Sequence, residues 1–210
     1  MRHTGLTAGM LVATALVNLT SARAAEATAV GTEAAPTGAR TKMRVTALFV
    51  PSPIGILHSG NPGDEETVSS QPAFGFATAF DFVPHPNLFV GFGAGYTFNV
   101  VPSGTTLDPG TAFDLTFRVG GTFPFARRFA AYGYVAPGYS FMRKGAPQVT
   151  GPEGPIVGVH AGALFDVTPT LFLAAELGYQ AGFQRAFIDQ MDIPFDASFF
   201  QIGIGLGVRI

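Results

Sequence analysis

The segment QIGIGLGVRI, residues 201–210, places Ile202, Ile204, Leu206, Val208 and Ile210 on one parity, with Gly203, Gly205, Gly207 and Arg209 between them. Successive side chains of a strand point to opposite faces, so this period of two predicts a strand with one strongly apolar face. The other face is the informative one. A strand on a soluble sheet turns Lys, Glu and Thr to water, and glycine there only weakens it. Glycine fits a face that looks into a narrow space, with the bulky face meeting something other than water.

The same division recurs upstream. In 73–82, Phe74, Phe76, Thr78, Phe80 and Phe82 oppose Gly75, Ala77, Ala79 and Asp81; in 88–100, Val90, Phe92, Ala94, Tyr96 and Phe98 oppose Gly91, Gly93, Gly95, Thr97 and Asn99. Phe113, Leu115, Phe117 and Val119 oppose Asp114, Thr116, Arg118 and Gly120, and Leu171, Leu173, Ala175, Leu177 and Tyr179 oppose Ala174, Glu176, Gly178 and Gln180. The bulky parity carries no charge. Arg44, Asp81, Asp114, Arg118, His160, Asp166, Glu176 and Arg209 all fall on the small-residue parity.

Period-two segments occupy 43–50, 73–82, 88–100, 111–123, 129–142, 156–167, 171–184 and 198–210, each close to the length of a tilted membrane strand. Their connections alternate. Those at 51–72, 101–110, 143–155 and 185–197 are long, whereas 83–87, 124–128 and 168–170 are short. That is the pattern of an outer-membrane barrel, with short periplasmic turns and longer extracellular loops. In 129–142 the large aromatics change parity between Tyr134 and Tyr139, and the intervening Pro137-Gly138 predicts a bulge that resets the register.

Composition agrees. Charged residues are 12% of the 210, about half the usual share, beside 27 glycines and 21 phenylalanines. Beyond the N-terminus no apolar run reaches the ~18 to 20 residues of a spanning helix, and a net charge of -2 gives no reason to expect nucleic acid. Residues 1–24 read as a secretory signal peptide: Arg2 and His3, an apolar stretch near 9–17, then the small-residue site Ala22-Arg23-Ala24. Residues 25–42 read as a flexible lead-in and 43–210 as the barrel. The absence of cysteine excludes disulfides, thiol catalysis and a lipoprotein anchor.

The chain resembles the small eight-stranded outer-membrane barrels of the OmpA/OmpX-like class over residues 43–210. The resemblance rests on the strand pattern and on the alternating C-terminal strand. In that family an aromatic residue usually closes this strand and is read by the assembly machinery; here Ile210 stands in its place. The fold expected is all-β: an eight-stranded, antiparallel, up-and-down transmembrane β-barrel in the outer membrane of a Gram-negative cell. The resemblance implies a monomer that contacts lipid bilayer, lipopolysaccharide and the assembly machinery, and meets external ligands through four loops. No cofactor, metal or catalytic residue is expected.

Strand direction groups the inner charges. Arg44, Asp81, Asp166 and Arg209 are expected near the periplasmic rim, with Arg209 beside Asp81, and Arg118, Glu176 and His160 near mid-height. Ions in a tight interior have to pair, so they read as a polar plug, with a gate or narrow ion path as the functional alternative. Eight strands with inward side chains leave no wide channel.

Two other functions are weighed. LHSGN, with His58, Ser59 and Asn61, resembles the His-x-Ser-Asn pattern of outer-membrane lipid A deacylases, but its His and Ser are adjacent and it is expected in a solvated loop. Asp64, Glu65 and Glu66 follow, as a loop tip rather than a cation site. A secreted lipocalin-like carrier would also have eight strands, with the bulky residues lining a ligand cavity. GFGAG (91–95) lies along a strand, with no helix after it, so it is not a dinucleotide loop.

Overall fold

The computed structural model describes residues 43–60, 66–104, 109–143, 149–188 and 191–210, and every regular element among them is a β-strand. The signal and lead-in expected over 1–42 lie outside the described residues, as do Asn61, Asp64 and Glu65. The strands are β1 (Met43–Ser52), β2 (Ile54–Ser59), β3 (Glu66–Ser70), β4 (Ala73–His85), β5 (Leu88–Val100), β6 (Gly110–Ala126), β7 (Phe129–Arg143), β8 (Val149–Asp166), β9 (Leu171–Ile188) and β10 (Met191–Arg209). All pair antiparallel with their neighbours in one sheet, and β10 pairs with β1 from Arg44↔Arg209 to Phe49↔Ile204. That pairing closes the sheet into a barrel.

Eight staves make the ring, because β2 continues β1 past Pro53 and β3 leads into β4 past Gln71-Pro72. Proline lacks the N–H a ladder needs, which accounts for breaks at these positions. The upper half of β10 pairs with β2, and β2 with β3. The Gln71 amide donates to Val101 O (2.9 Å) and the Ser103 amide to Ser69 O (2.7 Å), tying this hairpin to the end of β5. The seam at the other end is held by Met43 N–H to Ile210 O (3.2 Å) and Ile210 N–H to Met43 O (3.0 Å).

Two expectations are corrected. His58 and Ser59 lie in β2, not in a solvated loop, because the chain goes on pairing with β10 beyond Pro53. Pro137-Gly138 resets nothing: β6 pairs with β7 in one register from Thr111↔Arg143 to Pro124↔Ala130. The shift lies near the short turn, between Pro124 and Ala126. Tyr132 and Tyr134 therefore point inward on the same alternation that sends Tyr139 and Phe141 outward. The flanking strands extend through the apolar connection at 185–197, as its residues Ile188, Met191, Ile193 and Phe195 lead one to expect, with β9 running to Ile188 and β10 starting at Met191. With 19 residues, β10 is about 60 Å long, which carries it well past the apolar band of a membrane.

The faces decide what surrounds the barrel. Large apolar side chains are exposed all around it, among them Phe92 (67%), Ile204 (61%), Leu177 (55%) and Phe76 (57%). The buried residues, including the charged ones, face the lumen. A lipocalin-like carrier needs the reverse arrangement, with bulky residues inside.

Candidate functional site

The lumen is filled in tiers. Nearest the short turns, Arg209 Nη2 donates to Asp166 Oδ1 at 2.7 Å, and its guanidinium stacks 5.0 Å from the Phe172 ring centre. This pair is partly open to solvent. Above it Asp81, completely buried, accepts from Arg44 Nε (3.1 Å) and Nη2 (2.8 Å) through Oδ2, while Arg118 Nη1 stands 3.6 Å from Oδ1. Arg44 also reaches Thr122 Oγ1 at 3.4 Å and covers the Phe89 ring at 4.4 Å.

The charges are thus regrouped relative to the sequence expectation. Arg209 does not join Asp81; its cross-strand partner is Arg44, a like charge, and it turns to Asp166 instead. Arg118 belongs with Asp81 because the register runs Asp81↔Gly91↔Arg118, with glycine on the strand between them. A Cβ on Gly91 would sit 2.5 Å from Asp81 Oδ1, so only glycine leaves the space in which the two side chains meet.

The middle tier centres on Glu176. Tyr132 donates to Oε2 at 2.7 Å and Tyr134 to Oε1 at 3.1 Å, and His160 Nδ1 lies 3.5 Å from Oε1. The His160 and Tyr134 rings stack with centroids 4.6 Å apart, and Arg118 covers the other side of the same tyrosine at 4.1 Å. Pairing Asp81 with guanidinium groups and Glu176 with hydroxyl donors is what makes burial of these ions tolerable.

Glycines create this room. A Cβ at Gly203 would stand 2.5 Å from Glu176 Cγ, and one at Gly207 would run into the Phe172 ring. The glycine face of 201–210 is therefore the wall against which Glu176 and Phe172 lie.

Higher still is a chamber of about 70 Å³, room for the centres of several waters, bordered by Asp114, Arg118, His160, Glu176 and Gln180 as well as by apolar residues. A smaller pocket of about 10 Å³ adjoins it, bordered by Asp114, Ser140, Gln180 and Gln184. Gln180 Nε2 donates to Asp114 Oδ2 at 3.0 Å. Leu57, Ala112, Met142, Ala197 and Phe199 then form a second apolar cluster.

Five large inward aromatics escape the sequence pattern: Phe89, Phe172, Tyr132, Tyr134 and Phe199. Their parity was the available signal, since each shares it with the small residues of its own strand. At the far end, His58 and Ser59 do not converge. They are neighbours on one strand, and His58 is exposed, bonding Thr67 Oγ1 through Nδ1 at 2.7 Å.

A family model described as "Putative MetA-pathway of phenol degradation" matches residues 53–186, more than half of the 210-residue chain. The chain belongs to this family. The matched stretch runs from Pro53 into β9, so it holds most of the lumen tiers but not β1 or β10. Among solved structures, the outer membrane protein OprG from Pseudomonas aeruginosa is similar, with a TM-score of 0.61 and 11% identity, over 80% of this chain and 95% of that one. Neisserial surface protein A (NspA) gives a TM-score of 0.55 and 12% identity, over 80% and 97%. At such identities the likeness is one of fold, and the fold is that of small outer-membrane barrels. No curated protein sequence matches the chain.

Proposed function

We propose that this chain is an integral outer-membrane protein without enzymatic activity, acting as the OmpA/OmpX-like barrels do: within the envelope and through its surface-facing connections. The observation that carries this reading is the inversion of a soluble barrel. Phe92, Leu177 and Ile204 are exposed while Arg44, Asp81, Arg118 and Glu176 are buried. Lipid is the solvent that suits such an exterior, and a lumen packed with paired ions suits a plug rather than a pore. On this reading the monomer sits in bilayer and lipopolysaccharide, delivered by the export and assembly machinery.

Single cysteines at positions 90–98, labelled in intact outer membranes, test it. Positions 90, 92, 94, 96 and 98 should take up a lipid-soluble reagent, and 91, 93, 95 and 97 should not. The inverse pattern, or recovery of the protein in the soluble periplasmic fraction without detergent, overturns the assignment.

The family description favours a second reading, in which the barrel serves phenol degradation from the envelope. A deletion strain that grows on phenol at the parental rate removes it.

A further inference from the structure

Among the described residues, one buried lumen carboxylate has no basic side chain against it. Among the described lumen charges, Asp166 has Arg209, Asp81 has Arg44 and Arg118, and Glu176 has His160 with two tyrosines. Asp114 is 93% buried, yet the groups that hydrogen bond its carboxyl, the Gln180 amide on Oδ2 and the Ser140 hydroxyl, are both neutral, and Oδ1 has no partner within 3.5 Å. Ser140 is its cross-strand neighbour. An unpaired buried carboxylate is costly, so this position favours a positive ligand.

A second buried acceptor sits at the same place. Gln184, 98% buried, borders the small pocket with Asp114, and its Oε1 also has no partner. The pocket therefore offers two free acceptors, no competing cation and space of about 10 Å³, which is about one water-sized group. It opens beside the chamber of about 70 Å³, whose wall toward β1, β4 and β7 is apolar: Leu48, Val50, Ala77, Ala79 and Ala136. A compact cation with several N–H donors and a short apolar tail matches both parts. A divalent metal matches less well, because no group of three or more His, Asp or Glu able to hold one occurs among the described residues.

We propose that Asp114 and Gln184 form a subsite for a small primary ammonium ion, with its N–H donors on Asp114 Oδ1 and Gln184 Oε1 and its alkyl part in the chamber. Met142 and Phe199 border the small pocket from the long-connection side. Met142 is paired with Ala112 two residues above Asp114, so the flexible methionine is the side chain an entering ligand displaces.

The test uses the purified barrel in detergent micelles and ¹³C-methylammonium chloride, read by saturation-transfer NMR at fixed ionic strength. The wild type should show saturable binding. Asp114→Asn should weaken it by about tenfold or more, and Gln184→Leu several-fold, the scale expected for losing a hydrogen bond to a charged group. Tetramethylammonium, which has no N–H, should not compete. No saturable binding by the wild type overturns the proposal, and so does effective competition by tetramethylammonium or undiminished affinity in Asp114→Asn. Folding of each variant is checked by heat-modifiable gel mobility. Should Asp114→Asn fail to fold, unchanged affinity in Gln184→Leu is the overturning result.

Discussion

Toward the short turns the lumen is filled by Arg44, Asp81, Arg118, Arg209 and Asp166, packed against Phe89 and Phe172; toward the long connections it is filled by Leu57, Ala112, Met142, Ala197 and Phe199. The two ends of the lumen are packed by different means. The lower packing is directional: every ion has a designated partner, and removing Arg44 strands the buried Asp81. The upper packing is cohesive and non-directional, so it yields more readily to local rearrangement. Between them lies the chamber bordered by Asp114, Arg118 and Gln180.

The difference can be broken first at its strongest point. Arg44→Ala leaves Asp81 with only the longer contact to Arg118, and should cost about 3–5 kcal/mol in urea unfolding of the vesicle-reconstituted barrel. Replacing Arg44 and Asp81 together by apolar residues should recover most of that loss, since no ion is then stranded. At the upper end Leu57→Ala should cost about 2–4 kcal/mol by the same measurement, through a cavity rather than a charge. Its effect should change little between low and high salt.

The middle tier should respond to added volume. Gly178→Ala pushes a methyl into the His160 ring and should cost about 1–3 kcal/mol, with a shift of the His160 ring signals in NMR. The smallest effect belongs to the outermost pair. Arg209→Ala removes a partly exposed salt bridge and should cost under about 1 kcal/mol, less still as salt is raised. A cost near that of Arg44→Ala would erase the distinction between rim and plug.

The outward face was legible because lipid imposes it residue by residue: no charge falls on the parity of Phe92 within 88–100 or of Ile204 within 198–210, and period two needs no knowledge of neighbours. The tiers were less legible because they depend on stagger. Strands in a closed barrel are sheared against one another, so which residues share a level follows from the register and not from distance along each strand. That is why Arg118 belongs with Asp81, and Arg209 with Asp166. The inward aromatics show a related limit. Tyr132 and Tyr134 look like a fault in the pattern of β7 alone, and become intelligible beside Gly162, whose missing side chain makes room for the Tyr132 ring, and Gly120, whose missing side chain makes room for the Tyr134 Cβ and the Phe89 ring. The position of His58 was hidden by Pro53, which ends β1 without ending the stave.

The seam between Met43 and Ile210 has a consequence for the order of events in folding. The hairpins β4–β5, β6–β7 and β8–β9 each join segments close in sequence, with little loop to close. The β1–β10 pairing joins the two segments of the sheet that are farthest apart along the chain. Until it forms, β1 and β10 are bare edges, each a template for pairing with another chain. Closure therefore comes late and demands that the nascent barrel be kept from its neighbours until 201–210 has found 43–49.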